Sequence, residues 1–339
     1  MSDSAGWSLT ESDPGIFTGL LHDLGVEGLE VEELWGLDPD LLRQLEPVRA
    51  LVFLFKWTSH SSEKMDGSFV EPNPDADHYF AHQVINNACA SIALINATLN
   101  IHDPHVQLGQ ELSNLQAFST GLDPQTRGEI ITNSQKIREV HNSFARSDPF
   151  HLENHEPQSE SQDAFHFISY VPINGQLFEL DGLKRSPVSH GKIPEGSNWT
   201  DLAREVLERR IASYPAGEVM FNLLAVTSRL ATLKHRIASI ESRRSSSTTR
   251  PSPPRDVDDA EAIELRQSKE LVSDIEARIN DWNVENSLRR HNHIGLVHAV
   301  LVELARQGQL DARIAVAREV MKKKIEDRKA RGIAMDEDD

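Results

Sequence analysis

The pattern of apolar and polar residues predicts strands and helices that alternate through the first two-thirds of the chain. The apolar run at residues 49–57 has the length of a strand and is typical of a central strand buried on both faces. Strands are also predicted at residues 29–35 and 217–226. Apolar residues at spacings of three and four predict helices near residues 16–21, 88–99, 103–122, 123–145 and 202–211. Together these elements predict an α+β core.

The composition changes near residue 250. Residues 245–255 are rich in Ser, Thr and Pro and predict a disordered linker after a helix at residues 230–244. The patterns that follow are helical, with no strand pattern. We therefore predict four segments: a domain at 1–230, a helix and linker at 231–255, a helical partner-binding extension at 256–330, and an acidic tail at 331–339. Helices of this kind either fold back on a domain or bind a partner.

The dipeptide Asn174-Gly175 stands between two runs of aromatic and β-branched residues, which predicts a β-hairpin with a two-residue turn. The pairs expected are Ile173 with Gln176, Val171 with Phe178, Ser169 with Leu180, and His166 with Leu183. In this register Asp181 is a diagonal neighbour of His166 on the same face. A carboxylate in that position can orient the imidazole, although a core hairpin with one polar pair fits the same pattern.

Cys89 is the single cysteine of the chain. Because Asn is a favoured N-cap residue, we expect the helix to begin at Asn86 or Asn87, which places Cys89 in its first turn. Free backbone N–H groups and the positive end of the helix dipole favour a thiolate there, and the thiolate is the nucleophilic form. A cysteine that serves only as a small buried apolar residue is the alternative.

Gln83 precedes Cys89 by six residues. Attack on a carbonyl produces an oxyanion that needs two hydrogen-bond donors. A backbone N–H at the helix start can supply one donor, and the Gln83 amide the other. Taken alone, Gln83 is equally well explained as a solvated side chain before a helix.

These residues carry a resemblance. Residues 83–90 (QVINNACA), 163–167 (DAFHF) and 178–182 (FELDG) resemble the ubiquitin C-terminal hydrolase family of cysteine peptidases in type, order and spacing. The resemblance extends over roughly the first two-thirds of the chain. It implies a papain-like core, an antiparallel sheet flanked by helices, and hydrolysis after the C-terminal glycine of ubiquitin.

The resemblance also implies the roles of four residues. Cys89 would be the nucleophile, His166 the general base, Asp181 its orienting residue and Gln83 the oxyanion donor. The polar segment 147–163 would be the loop through which the C-terminus of the substrate reaches the thiol, although its composition also fits a disordered surface loop.

A second, shorter resemblance covers residues 282–292 (WNVENSLRRHN), which are similar to the C-terminal extension of the long, proteasome-associated members of the family. It implies that the extension docks on a proteasomal ubiquitin receptor. A proteasome-docked, ubiquitin-binding scaffold with little activity is the alternative. Residues 322–324 are three lysines that fit either a nuclear localisation signal or a solvated helix end.

Composition narrows the remaining possibilities. The formal charge of −18 argues against nucleic acid as a partner, and no apolar run reaches the length of a membrane span. Residues 1–50 hold eleven Asp and Glu against Arg43 and Arg49, a surface that either aids solubility or attracts a basic partner. A single cysteine and no signal-peptide pattern predict the cytoplasm and nucleus. No metal-binding or phosphate-binding motif is present, so we expect no metal and no cofactor.

Overall fold

The computed structural model describes residues 6–56, 67–70, 78–145, 165–214, 221–247 and 256–330. Within these ranges the strands are β1 (Glu30–Glu33), β2 (Val48–Lys56), β3 (Ser68–Phe69), β4 (Phe165–Ile173), β5 (Gln176–Leu180), β6 (Val188–Lys192) and β7 (Phe221–Thr227). The helices are α1 (Pro14–Asp23), α2 (Pro39–Gln44), α3 (Cys89–Thr98), α4 (Gly109–Phe118), α5 (Pro124–Asn133), α6 (Gln135–Asn142), α7 (Trp199–Ala212), α8 (Arg229–Ser247), α9 (Asp256–Arg290), α10 (Ile294–Arg306) and α11 (Leu310–Ala330).

The strands form one antiparallel sheet in the order β1-β7-β2-β4-β5-β6-β3. Strand β2 lies inside this sheet between β7 and β4, and most of its residues are buried. Alternate side chains of a strand point to opposite faces, so a strand covered on both faces is apolar throughout. The expectation of a central strand is therefore confirmed, as is the α+β fold of a sheet flanked by helices.

Each face of the sheet has its own apolar core. Ala50 and Val52 of β2 belong to the core that contains α1 and α3, whereas Leu51, Phe53 and Phe55 belong to the core that contains α2 and α7. Helix α3 is buried on almost every side, because its residues are apolar or small all round. It thus holds its first residue, Cys89, in a fixed position against the sheet.

Two predicted helices differ from those observed. The helix expected at 103–122 is shorter, since α4 spans only Gly109–Phe118. The helix expected at 123–145 is two helices, α5 and α6, which meet at Ser134. Ser134 has an extended backbone (ψ 115°), and its Oγ accepts a hydrogen bond from the N–H of Ile137. This side chain caps α6 and ends the continuous helix.

The C-terminal region divides differently from the predicted segments. Helix α8 continues to Ser247, past the expected start of the linker, and residues 248–255 lie outside the described residues. The compact unit that contains the sheet extends to Arg290, and residues from His291 onward belong to a second unit. The predicted extension at 256–330 is helical as expected, but its first helix, α9, packs on α1 and α8.

Helix α9 is held on α1 by close packing and by charge. A Cβ on Gly15 would lie 2.7 Å from Cγ of Trp282, so glycine is needed for the indole to pack there. The Nδ2 atom of Asn286 donates to the Gly15 carbonyl at 2.9 Å. Arginines of α9 form ion pairs with acidic residues from the first fifty: Arg278 with Glu32, Arg289 with Glu11, and Arg290 with Asp23. Part of the acidic segment thus has a basic partner within the chain itself.

The second unit contains α10 and α11. Several large apolar side chains of these helices are exposed: Ile294, Leu296, Val300, Leu301, Ile314, Val316, Val320 and Met321. In the part of the chain that the structure describes, no helix combines the length and apolarity that a membrane span requires. The predicted loop at 147–163 and the acidic tail at 331–339 lie outside the described residues.

Candidate active site

Cys89 lies in the first turn of α3, as expected, and is its first residue, but the asparagines do not cap the helix. Ala88 occupies the N-cap position, and its carbonyl accepts from the Ile92 N–H at 2.9 Å. Asn87 adopts a left-handed conformation (φ 68°), which Asn tolerates better than most residues, and its Nδ2 donates to the Trp7 carbonyl at 3.0 Å. The predicted Asn86 or Asn87 cap is therefore wrong, because Asn87 instead turns the chain and ties it to the N-terminal segment.

The thiol of Cys89 is half-buried and faces His166. His166 is the second residue of β4 and is buried. Its Nε2 lies 2.7 Å from Oδ1 of Asp181, and the side chain of Cys89 is close enough to the imidazole to affect its pKa. Because Nε2 is used by Asp181, Nδ1 is the nitrogen that serves the thiol. The structure thus brings Cys89, His166 and Asp181 together, with the imidazole between the thiol and the carboxylate.

The electrostatics of the site favour a charged imidazole. Burial alone would lower the pKa of His166, but its hydrogen bonds to Asp181 and Cys89, and their negative charges, raise that pKa to about 9. At neutral pH the ring is therefore protonated. An imidazolium next to Cys89 stabilises a thiolate, which is the nucleophilic form of the side chain.

The hairpin that supplies Asp181 forms in the predicted register over most of its length. Ile173 pairs with Gln176, Val171 with Phe178, and Ser169 with Leu180. The ladder stops there, so the predicted pairing of His166 with Leu183 is absent from it. On the opposite edge of β4, His166 pairs with Phe55 of β2, whereas on the β5 side the chain turns after Leu180. Asp181 still reaches His166, because it lies at the first position of that turn.

Gln83 lies against the turn that contains Asp181. Its backbone N–H donates to the Gly182 carbonyl at 2.8 Å, and a Cβ on Gly182 would come within 3.1 Å of the Gln83 Cβ. The side-chain Nε2 of Gln83 donates to the Ile85 carbonyl at 3.1 Å. The structure therefore places Gln83 beside the Asp181 turn, with its amide hydrogen-bonded to the loop that leads into α3.

Sequence reasoning missed two residues beside the site. The ring of Phe55 meets the His166 imidazole edge-on, with 5.8 Å between centroids. Glu179 is a buried carboxylate on β5, two residues before Asp181. Glu179 has apolar neighbours in the sequence of its strand, and this pattern indicates a buried ion pair, because burying a carboxylate without partners is costly. The hairpin prediction did not use that signal.

Comparisons with known proteins identify the family of this chain. A family model described as ubiquitin carboxyl-terminal hydrolase, family 1, matches residues 7–212, and a second, described as ubiquitin carboxyl-terminal hydrolases, matches residues 268–310. The chain belongs to the ubiquitin carboxyl-terminal hydrolase family. It is therefore a thiol-dependent ubiquitinyl hydrolase, as the resemblance implied.

Relatives within this hydrolase family match most of the chain. The chain is 36% identical over 332 residues to ubiquitin carboxyl-terminal hydrolase ubh-4 of Caenorhabditis elegans, covering 96% of this chain and 95% of that protein. It is 39% identical to ubiquitin carboxyl-terminal hydrolase 2 of Schizosaccharomyces pombe, covering 86% of this chain and 88% of the relative. The crystal structure of Trichinella spiralis UCH37 bound to ubiquitin vinyl methyl ester is similar, with a TM-score of 0.63, 34% identity, and coverage of 82% of this chain and 99% of that chain.

Proposed function

We propose that this hydrolase cleaves the bond after the C-terminal glycine of ubiquitin by a Cys–His–Asp thiolate mechanism. The observation that carries the proposal is the hydrogen bond of the buried His166 imidazole to Asp181, beside the Cys89 side chain at the start of α3. The thiolate of Cys89 attacks the glycine carbonyl carbon and forms a thioester, while the imidazolium of His166 donates its proton to the leaving amine. Water then attacks the thioester, His166 takes its proton, and Cys89 leaves as the thiolate.

The oxyanion of each tetrahedral intermediate needs two donors. The backbone N–H of Cys89 lies in the first turn of α3, where helix geometry supplies no intrahelical acceptor. Gln83 is the second donor in this proposal. Its primary amide carries two hydrogens, and one is used by the Ile85 carbonyl, which leaves the other for the substrate oxygen.

Ubiquitin and its conjugates are the proposed substrates. Support comes from family membership and from the similar Trichinella spiralis protein, whose structure contains ubiquitin vinyl methyl ester. A scaffold with little activity, the alternative reading of the sequence, has no physical need for a buried carboxylate–imidazole pair beside a thiol. The arrangement around Cys89 therefore favours the enzyme.

Labelling by ubiquitin vinyl methyl ester tests the proposed nucleophile. Since Cys89 is the single cysteine, a thioether adduct can form only there. We expect the full chain to gain the mass of one ubiquitin, with the adduct mapped to Cys89, and Cys89→Ala to gain none. Slower labelling of His166→Gln, with its folding confirmed by circular dichroism, would support the role of the imidazole. A wild-type chain that forms no adduct would contradict the proposal.

We also propose that the predicted extension, residues 256–330, binds a proteasomal ubiquitin receptor. The family model over residues 268–310 and the exposed apolar side chains of α10 support this partner. Val300→Arg combined with Leu301→Arg should abolish co-sedimentation with proteasomes, whereas Glu303→Arg on the same helix should not. Equal co-sedimentation of the two variants would contradict it. Location in the cytoplasm and nucleus stays a prediction.

A further inference from the structure

Glu179 is the centre of a buried ionic cluster behind the catalytic pair. Its Oε1 accepts from Lys184 Nζ at 2.6 Å and from Arg210 Nη1 at 3.0 Å. Its Oε2 lies 3.1 Å from His190 Nε2 and accepts from the Tyr170 hydroxyl at the same distance. Burial alone would raise the pKa of this carboxyl, but the surrounding cations, Arg210 foremost, hold that pKa well below its usual range. Glu179 is therefore a fixed anion.

The partners of Glu179 come from different elements of the fold. Tyr170 lies on β4, His190 on β6 and Arg210 on α7, so the carboxylate is held from three sides. The fourth partner, Lys184, differs because it lies in the turn that follows β5. Lys184 therefore connects the Glu179 carboxylate on β5 to the turn that contains Asp181.

The turn after β5 is closed by two hydrogen bonds to Asp181. The N–H of Lys184 donates to the Asp181 carbonyl at 2.9 Å, and the N–H of Leu183 donates to Asp181 Oδ1 at 3.0 Å. The side chain of Lys184 reaches back along the strand to Glu179 and is largely buried. Both ends of the turn are therefore attached to β5, and Oδ1 is held where it meets His166.

We propose that Lys184 and Glu179 are positioning residues that hold the Asp181 carboxylate against the His166 imidazole. The proposal rests on the mechanism proposed above. Neither residue touches the reacting atoms. Lys184 prevents the turn from moving away from β5, and Glu179 supplies a buried, fully bonded anion as the fixed point. A misplacement of about 1 Å in such a site can reduce the rate by on the order of 100-fold.

The competing explanation is that the cluster only stabilises the fold. Lys184 and Tyr170 distinguish the two, because each provides one bond to Glu179 but only Lys184 belongs to the Asp181 turn. The full-length variants Lys184→Met and Tyr170→Phe each remove one such bond and keep most of the side-chain volume; Tyr170→Phe also removes the bond that Arg210 Nη1 donates to the hydroxyl at 3.0 Å. Thermal unfolding monitors how much stability each variant loses.

Kinetics on ubiquitin with a fluorogenic C-terminal amide test the proposal. Lys184→Met should lower kcat by about tenfold and change KM by less than about twofold, since the turn is loosened without a change in binding energy. In the pH profile of kcat, the fall in rate at high pH should occur roughly half a unit to one unit lower than in the wild type. The reason is that a displaced Asp181 carboxylate stabilises the charged imidazole of His166 less. Tyr170→Phe should keep the wild-type kcat and profile, and Lys184→Arg should restore both.

Two results would overturn the proposal. One is a pH profile of kcat for Lys184→Met in which the rate falls at the same high pH as in the wild type. The other is an equal loss of kcat in Lys184→Met and Tyr170→Phe. Cys89→Ala in the same assay keeps this inference distinct from the mechanism: turnover retained by Cys89→Ala rejects the mechanism itself, whereas turnover lost there and unchanged in Lys184→Met rejects only the positioning role.

Discussion

His166 Nε2 lies 2.7 Å from Asp181 Oδ1, although the β4–β5 ladder ends before it reaches either residue. The sheet brings the two residues near each other, and the turn after Leu180 completes the approach. The Asp181 carboxylate therefore belongs to a turn, and its position depends on the hydrogen bonds that close that turn.

Asp181→Asn tests the contribution of this charge. The amide has the shape of the carboxylate but no charge, so His166 loses its main stabilising partner. We expect kcat to fall on the order of 100-fold and the upper limb of the pH profile to move down. Asp201→Asn, at an exposed position in the first turn of α7, is the matched control and should leave both unchanged. Equal rates for the two variants would contradict the assignment of Asp181.

The protonated imidazole of His166 should make folding stability depend on pH. Its pKa is raised from 6.5 to about 9, so the folded protein binds this proton more tightly than the unfolded chain. The contribution is complete below pH 6.5 and is lost as pH rises through about 9, by roughly 3 kcal/mol. Urea denaturation across this range should show the loss in the wild type and much less of it in His166→Gln. If stability depended on pH in the same way in the wild type and in His166→Gln, the raised pKa of His166 would be contradicted.

Glu30 should also make folding stability fall as pH rises, but in a lower pH range. Burial raises the pKa of its carboxyl from 4.5 to about 7, although the hydrogen bond from the Leu230 N–H partly offsets this. The folded state then binds more protons than the unfolded chain between those values, so stability falls as pH rises through them. Glu30→Gln should be more stable than the wild type at pH 8 by roughly 3 kcal/mol, and should match it at pH 4. No gain at pH 8 would reject this assignment.

Gly15→Ala should loosen helix α9. Alanine at a regular helical position normally stabilises, but here its Cβ would lie 2.7 Å from Cγ of Trp282, so the clash should dominate. We expect a loss of about 1–3 kcal/mol in stability and faster amide exchange in α9. Adding Trp282→Ala should remove much of the penalty of Gly15→Ala, because the two side chains compete for one space.

A second glycine provides the control for this prediction. An added Cβ on Gly36 meets nothing within 4 Å, so Gly36→Ala should leave exchange in α9 unchanged. If Gly15→Ala and Gly36→Ala behave alike, Trp282 does not depend on the space beside Gly15.

The sequence predicted the elements that depend on neighbouring residues. The Asn174-Gly175 turn determines the hairpin register, so Ser169 and Leu180 pair as expected. The apolar β2 run likewise predicts burial on both faces. The start of α3 could not be predicted in the same way, because Asn87 is held by Trp7, eighty residues away. Its local preference for capping is overridden by that distant contact.

Long-range contacts also explain what was missed around the site and in the extension. Asn286 bonds Gly15 across 271 positions, and no local pattern indicates that α9 packs on α1 rather than binding a partner. The apolar neighbours of Glu179 indicate that its carboxylate needs a partner, but the sequence does not show that the partners include Arg210, His190 and Tyr170 from other elements. Cys89, His166 and Asp181 were proposed as catalytic because their types and spacing resemble a known family, whereas the contact of Glu179 with Lys184 beside the Asp181 turn follows only from the fold.

The most direct test is turnover of ubiquitin with a fluorogenic C-terminal amide by the wild type and by Cys89→Ala, with the folding of both confirmed by circular dichroism. The account predicts steady turnover by the wild type and a loss of at least about 1000-fold in Cys89→Ala, since the acyl-enzyme cannot form without the thiolate. Turnover retained by Cys89→Ala, or absent from the folded wild type, would contradict it.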